Sequence, residues 1–132
     1  VLDVVGWVHA VEGRLLAVRA RGRDLLYLPG GKREPGESDW AALSREVREE
    51  LGVELVSDTL RPLGVVESEA HDQPAGTRVR MACFAAQHAG TLMSSAEINE
   101  YVLIGHDSRG LLAPAARLAL DIAVREGLVA TV

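Results

Sequence analysis

The sequence predicts a mixed α/β (α+β) domain in which strands outnumber helices and two helices are available to cover a sheet. Three observations predict it. Short apolar runs rich in Val and bounded by turn residues recur along most of the chain. Two other segments, near 39–51 and from 114 onward, carry apolar residues at helical spacing with start and stop signals. No repeat, low-complexity tract or Pro/Gly/Ser-rich linker divides the 132 residues, which is material for a single domain over 1–132.

Taken in order, Leu2 to Val11 reads as a strand that pauses at Glu12-Gly13-Arg14 and resumes through Leu15 to Val18, as in a hairpin. The apolar piece Leu25 to Leu28 then runs into Pro29-Gly30-Gly31, a strong breaker. Ser38 is placed as the N-cap of a helix from about Asp39 to Leu51, with Trp40, Leu43, Val47 and Leu51 on its apolar stripe and Gly52 as its stop. Strand-like runs follow near Leu60 to Ser68, Arg78 to Gln87 and Tyr101 to Ile104, with a turn-prone loop at 71–76. The tail is helical: Pro114 suits a first turn, Ala115, Leu118, Ala119 and Ile122 share a stripe, and Gly127 closes it.

Composition narrows function. Hydrophobic residues at 48% and charged ones at 25% are ordinary for a packed domain and argue against disorder. A net charge of -5 does not suit polymeric nucleic acid, so a phosphate-bearing ligand must be held locally. The single cysteine, Cys83, lies in an apolar run, which excludes an internal disulfide, fits a buried core position and makes the cytoplasm the expected compartment. No membrane-spanning run is present, and Val1-Leu2-Asp3-Val4 lacks the basic start of a signal peptide.

The chemistry concentrates in three glutamates. Glu46, Glu49 and Glu50 stand at i, i+3 and i+4 of the predicted helix, which brings them to one face, roughly 100° around from the apolar stripe. Like charges so spaced repel by about 0.2 to 0.5 kcal/mol per pair, which invites a cation. Without one, repulsion raises their pKa values, so metal binding weakens as pH falls. Carboxylates with no His or Cys beside them favour Mg²⁺, or Mn²⁺, over zinc or copper. Such a Glu/Arg-rich helix is ordinarily a solvated face, but Arg45 precedes Glu49 in the poorer i,i+4 order for helix support. The loop Leu28 to Glu37 feeds this helix; its glycines permit close backbone approach, yet it matches neither the phosphate loop nor the dinucleotide fingerprint.

Joined together, loop and helix read Gly31, five residues, Glu37, seven residues, then Arg45-Glu46-Val47-Arg48-Glu49-Glu50-Leu51-Gly52-Val53. This resembles the Nudix box at every fixed position, a match whose chance odds are on the order of 10⁻⁵ given ordinary composition. The resemblance implies a mixed β-sheet sandwiched between α-helices and a small-molecule nucleotide substrate, a nucleoside diphosphate linked to X. It implies Glu46, Glu49 and Glu50 as ligands of a divalent cation, Gly31 as a backbone donor to the metal site, and Arg45 and Glu37 as orienting residues. A fourth acid outside the box often completes such sites. Glu97 is the first choice here because it precedes a late strand, with Glu67, Glu69 and Glu100 as alternatives.

Around this centre, Lys32 is a candidate phosphate contact or an exposed loop charge. Trp7 and Tyr27 are the aromatic residues left open to a ligand role, whereas Trp40 and Phe84 read as core. His71 and Asp72 lean toward an ordinary polar turn. The expected reaction is metal-dependent attack of water on phosphorus in a nucleoside triphosphate or related nucleotide. ADP-ribose or a nucleotide sugar is the alternative within enzymes, and a noncatalytic nucleotide sensor the alternative outside them. A homodimer stays open, and a calcium loop of EF-hand type fails for want of alternating Asp/Asn ligands.

Overall fold

A chain with two apolar faces on its central strands needs a cover on each side, and this one has two helices to supply them. The computed structural model describes residues 1–94 and 98–131. Its first strand, β1 (Leu2–Trp7), is followed by β2 (Ala10–Val11), β3 (Arg14–Ala20) and β4 (Gly30–Lys32). Helix α1 (Asp39–Leu51) comes next, then β5 (Glu54–Leu55), β6 (Arg61–Glu69), β7 (Arg78–Ala85), β8 (His88–Ala89), β9 (Ile98–Ile104) and helix α2 (Pro114–Arg125). Short 3-10 turns, Ser57–Thr59 and His106–Leu111, precede β6 and α2.

A four-stranded mixed sheet runs β4-β1-β7-β6, with β1 and β7 parallel and both outer pairs antiparallel. A second, antiparallel sheet runs β2-β3-β9, and β5 pairs with β8. Val5 and Trp7 of β1, Leu16 and Val18 of β3, and Ala82 and Phe84 of β7 face one core. The alternate residues Leu15, Ala17, Met81 and Cys83 face the other. Strands covered on both faces read as continuous apolar runs, which is why these segments lack a polar alternation.

Helix α1 closes the first core with Ala42, Leu43, Val47 and Leu51. Ser38 caps it by accepting from the Ala41 N–H at 3.1 Å, an interaction worth about 1 kcal/mol, and Gly52 ends it at φ 70°. Helix α2 closes the second core with Ala116, Ala119, Leu120 and Ala123. The expected sandwich of a mixed sheet between helices is thus the observed one.

Two local expectations are corrected. The run Leu2 to Val11 does not form one arm of a hairpin: β1 leaves for the larger sheet, and only Ala10–Val11 turns through Glu12-Gly13 onto β3. The reason is competition, since β1 gains two partners, β4 and β7, where a hairpin offers one. The buried stripe of α2 is also rotated from the predicted one, toward Ala116 and Leu120 and away from Ala115 and Leu118, which are half-buried. In a helix apolar nearly all round, the sheet it meets decides which side goes in.

Candidate active site

The site begins with a close approach of backbone to helix. β4 lies antiparallel on β1, with Gly30 opposite Gly6 and Gly31 opposite Val5. At Gly30 the chain adopts φ 147°, and a Cβ there would sit 2.0 Å from the Val5 carbonyl oxygen. At Gly31 the obstacle is different: a Cβ would meet the Glu46 carboxylate carbon at 2.6 Å. One glycine is required by the strand and the other by an acid on α1. The Gly30 N–H donates to Glu50 Oε1 at 3.1 Å, so β4 and α1 are joined through a carboxylate.

Arg45 anchors the other acids. Its Nε and Nη2 donate to the two oxygens of Glu37 at 2.8 and 2.9 Å, a bidentate pairing. Its Nη1 donates to Glu46 Oε1 at 2.9 Å, and Nη2 also reaches the Lys32 carbonyl at 3.1 Å. The pairing with Arg45, helped by the Glu34 N–H, holds the Glu37 carboxyl down at about 2. Burial pushes Glu46 upward in spite of Arg45. Burial also lifts Glu50 to about 8, opposed by the Gly30 N–H and reinforced by the charges of Glu46 and Glu49. Repulsion among the glutamates was the expected cause of raised values; it contributes, but removal from water is the larger one.

Glu49 completes the row differently. It is exposed, with Oε2 3.6 Å from Arg45 Nη1, so it is drawn toward the guanidinium. The three glutamates consequently do not gather as tightly as the only set of three among the described residues whose ligating atoms all lie within 4.8 Å of one another, Asp24, His71 and Asp72. The donor set nevertheless fits a hard divalent cation: carboxylate oxygens, one of them held half-buried, against a glycine backbone with no side chain in the way.

Glu50, Gly30 and Gly31 also line a cavity of about 270 Å³. Its walls are mostly apolar, from Val4, Leu28, Val79 and Met81 on the strands to Ala113 and Ala116 at the start of α2. Polar groups come from Arg23, Tyr27, Glu69, His71 and Gln73. A concave, largely apolar space with few polar groups is the usual form of a small-molecule site.

The other predicted residues divide. Tyr27 lines the cavity, half-buried, and burial raises its phenol. Trp7 does not: it is fully buried, its indole N–H donates to the Ala86 carbonyl at 3.1 Å, and its ring stacks on His9. A ligand role for Trp7 is therefore corrected, because its face of β1 belongs to the core that α1 closes. Lys32 is exposed and is not among the cavity-lining residues. Of the acids weighed outside the box, Glu69 lines the cavity, Glu67 faces Arg78 at 3.7 Å and Glu100 pairs with Arg19 at 2.9 Å. Glu97 lies outside the described residues. Arg23, Gln73 and the first turn of α2 were not singled out from the sequence, and no motif marks them.

Comparison with known proteins agrees with the geometry. Residues 2–113 match the NUDIX domain family, and the chain belongs to that family. It is a Nudix hydrolase by fold and by the company of solved structures. The Escherichia coli ORF135 protein is 27% identical with TM-score 0.76, over 94% of this chain and 89% of that one. The MutT protein of Methanosarcina mazei Go1 is 26% identical with TM-score 0.75, over 96% and 94%. The MutT NUDIX hydrolase of Burkholderia pseudomallei is 25% identical with TM-score 0.75, over 91% and 95%. A search of curated proteins returns no significant match. No helix among the described residues is long and apolar enough to cross a membrane.

Proposed function

We propose that the chain hydrolyses a phosphoanhydride bond of a nucleoside triphosphate or related nucleotide, with Mg²⁺ or Mn²⁺ held by Glu46, Glu49 and Glu50 and assisted by the Gly31 backbone. The observation that carries this reading is that the half-buried Glu50 carboxylate lies at once on the acidic row of α1 and on the wall of the apolar cavity. Phosphates at the row and the nucleoside end in the cavity follow from that adjacency. When bound, the cation neutralises phosphate charge and lowers the pKa of a bound water.

The chain's own residues do the rest. Arg45, clamped by Glu37, orients Glu46 and keeps the loop before α1 against the helix. A carboxylate beyond the box, Glu97 by its place in the sequence or Glu69 by its place on the wall, takes the proton as water oxygen joins phosphorus and the P–O–P bond breaks. A triphosphate gives a nucleoside monophosphate and pyrophosphate.

The test is a screen of nucleoside triphosphates, ADP-ribose, nucleotide sugars and dinucleoside polyphosphates with Mg²⁺ or Mn²⁺, reading the released phosphate species. Glu49→Gln should cost at least about 100-fold in turnover, since even second-layer partners of metal ligands cost 10- to 100-fold. Hydrolysis of simple monoesters alone, or a Glu49→Gln enzyme as active as the wild type, would sink the reading.

A further inference from the structure

Apart from Glu50 and Glu69, the polar rim of the cavity is built from two loops far apart in sequence. Arg23 and Tyr27 come from the segment between β3 and β4, and His71 and Gln73 from the segment between β6 and β7. Crossed ion pairs tie the segments together: His71 Nε2 lies 2.7 Å from Asp24 Oδ1, and Arg23 Nη1 lies 3.2 Å from Asp72 Oδ2. His71 Nε2 is also 3.4 Å from Asp72 Oδ2, and its ring sits 6.1 Å from that of Tyr27. Arg23 and His71 line the cavity, whereas Asp24 and Asp72 do not. The two aspartates stand behind the two residues that face the ligand space.

Their chemistry selects what can be recognised there. Asp24, His71 and Asp72 have ligand types suited to a metal, but a guanidinium already neutralises Asp72. With His71 neutral, Arg23, Asp24 and Asp72 leave the cluster one negative charge, and a protonated His71 brings it only to zero. A polyphosphate finds no excess positive charge in such a group. An uncharged heteroaromatic ring, apolar on its faces and hydrogen-bonding at its edge, finds apolar walls and aimed polar groups. A nitrogen facing two carboxylate oxygens carries a proton, so His71 Nε2–H donates to Asp24, and the ring is held in one orientation.

We infer that Arg23 and His71 contact the base edge of the substrate's nucleoside end, and that Asp24 and Asp72 are positioning residues that aim them. The inference rests on the cavity being the nucleoside subsite of the proposed reaction, but it is tested without the reaction. Adenosine, guanosine, cytidine and uridine are titrated against the whole chain with no metal added, and the ring resonances of His71 and Tyr27 are followed by NMR. At least one nucleoside should shift both resonances. Asp24→Asn and Asp72→Asn should each weaken its binding by about three- to tenfold, the range one lost hydrogen bond gives, and flatten the order of preference among the four bases. Asp72→Glu should recover part of that preference, which a merely structural role would not do. Nucleosides that leave His71 and Tyr27 unshifted overturn the inference, as do Asn variants that bind with wild-type affinity and wild-type base order. Nucleoside binding weakened by both variants in a protein that turns over no nucleotide supports the inference and removes the proposed reaction instead.

Discussion

Helices α1 and α2 cover opposite faces of the same sheet, yet they are built to different specifications. α1 is held at both ends, by the Ser38 side chain and by Gly52, and its acids are tied to β4 and to Arg45. α2 has proline in its first turn and no side-chain cap, and it buries Ala116, Ala119, Leu120 and Ala123. A helix that carries like charges toward a site must be restrained, because repulsion and burial both act to move them. A helix whose task is to fill space is restrained by packing alone.

The largest expected effects separate the two. Leu120→Ala should lower stability by about 2 to 5 kcal/mol, as buried leucine truncations do, while folded molecules keep their turnover. Glu50→Gln should do the reverse, losing at least about 100-fold in metal-dependent hydrolysis with no loss of melting temperature in metal-free buffer. Loss of activity in folded Leu120→Ala, or unfolding of Glu50→Gln, would erase the division of labour between the helices.

A smaller effect sharpens it at the two glycines. Gly31→Ala meets the end of a flexible side chain, Glu46, so the fold should hold while the displaced carboxylate costs about 10²-fold in kcat, the scale of an ångström-sized misplacement. Gly30→Ala meets backbone at a φ that side chains avoid, so it should fail by unfolding. Thermal melts and kinetics on both variants check the pair.

The smallest effect is in acid. Glu37 is held at about 2 against an ordinary 4.5, so its pairing with Arg45 stabilises the fold fully above pH 4.5 and is lost as pH falls through 2. The melting-temperature gap between wild type and Glu37→Gln should be constant above pH 4.5 and close toward pH 2. A gap that persists at pH 2 would assign the effect to something other than the ionised pair.

Legibility followed distance along the chain. The acidic row and its loop fit within Gly31 to Val53, so spacing alone places Glu46, Glu49 and Glu50 on one side of one helix, and α1 spans the residues expected. The cavity draws on residues from Leu2 to Ala116 that, apart from Gly30, Gly31 and Glu50, share no local pattern, which is why Arg23 and Gln73 were not foreseen and His71 was read as an ordinary turn. Trp7 was left open because a strand face near the box could line a pocket as readily as a core. The packing of α1 against that face of β1 removes the ambiguity, and only long-range contact decides it.

By itself the sequence determined the helix periods, the caps, the glycine entry and the carboxylate row, because backbone geometry carries those through short, fixed spacings. Tertiary structure alone decided which acid lost its water, which glycine faced which oxygen, and which loops met around the ligand space. Burial and distance between remote segments exist only once the sheet has closed between its two helices.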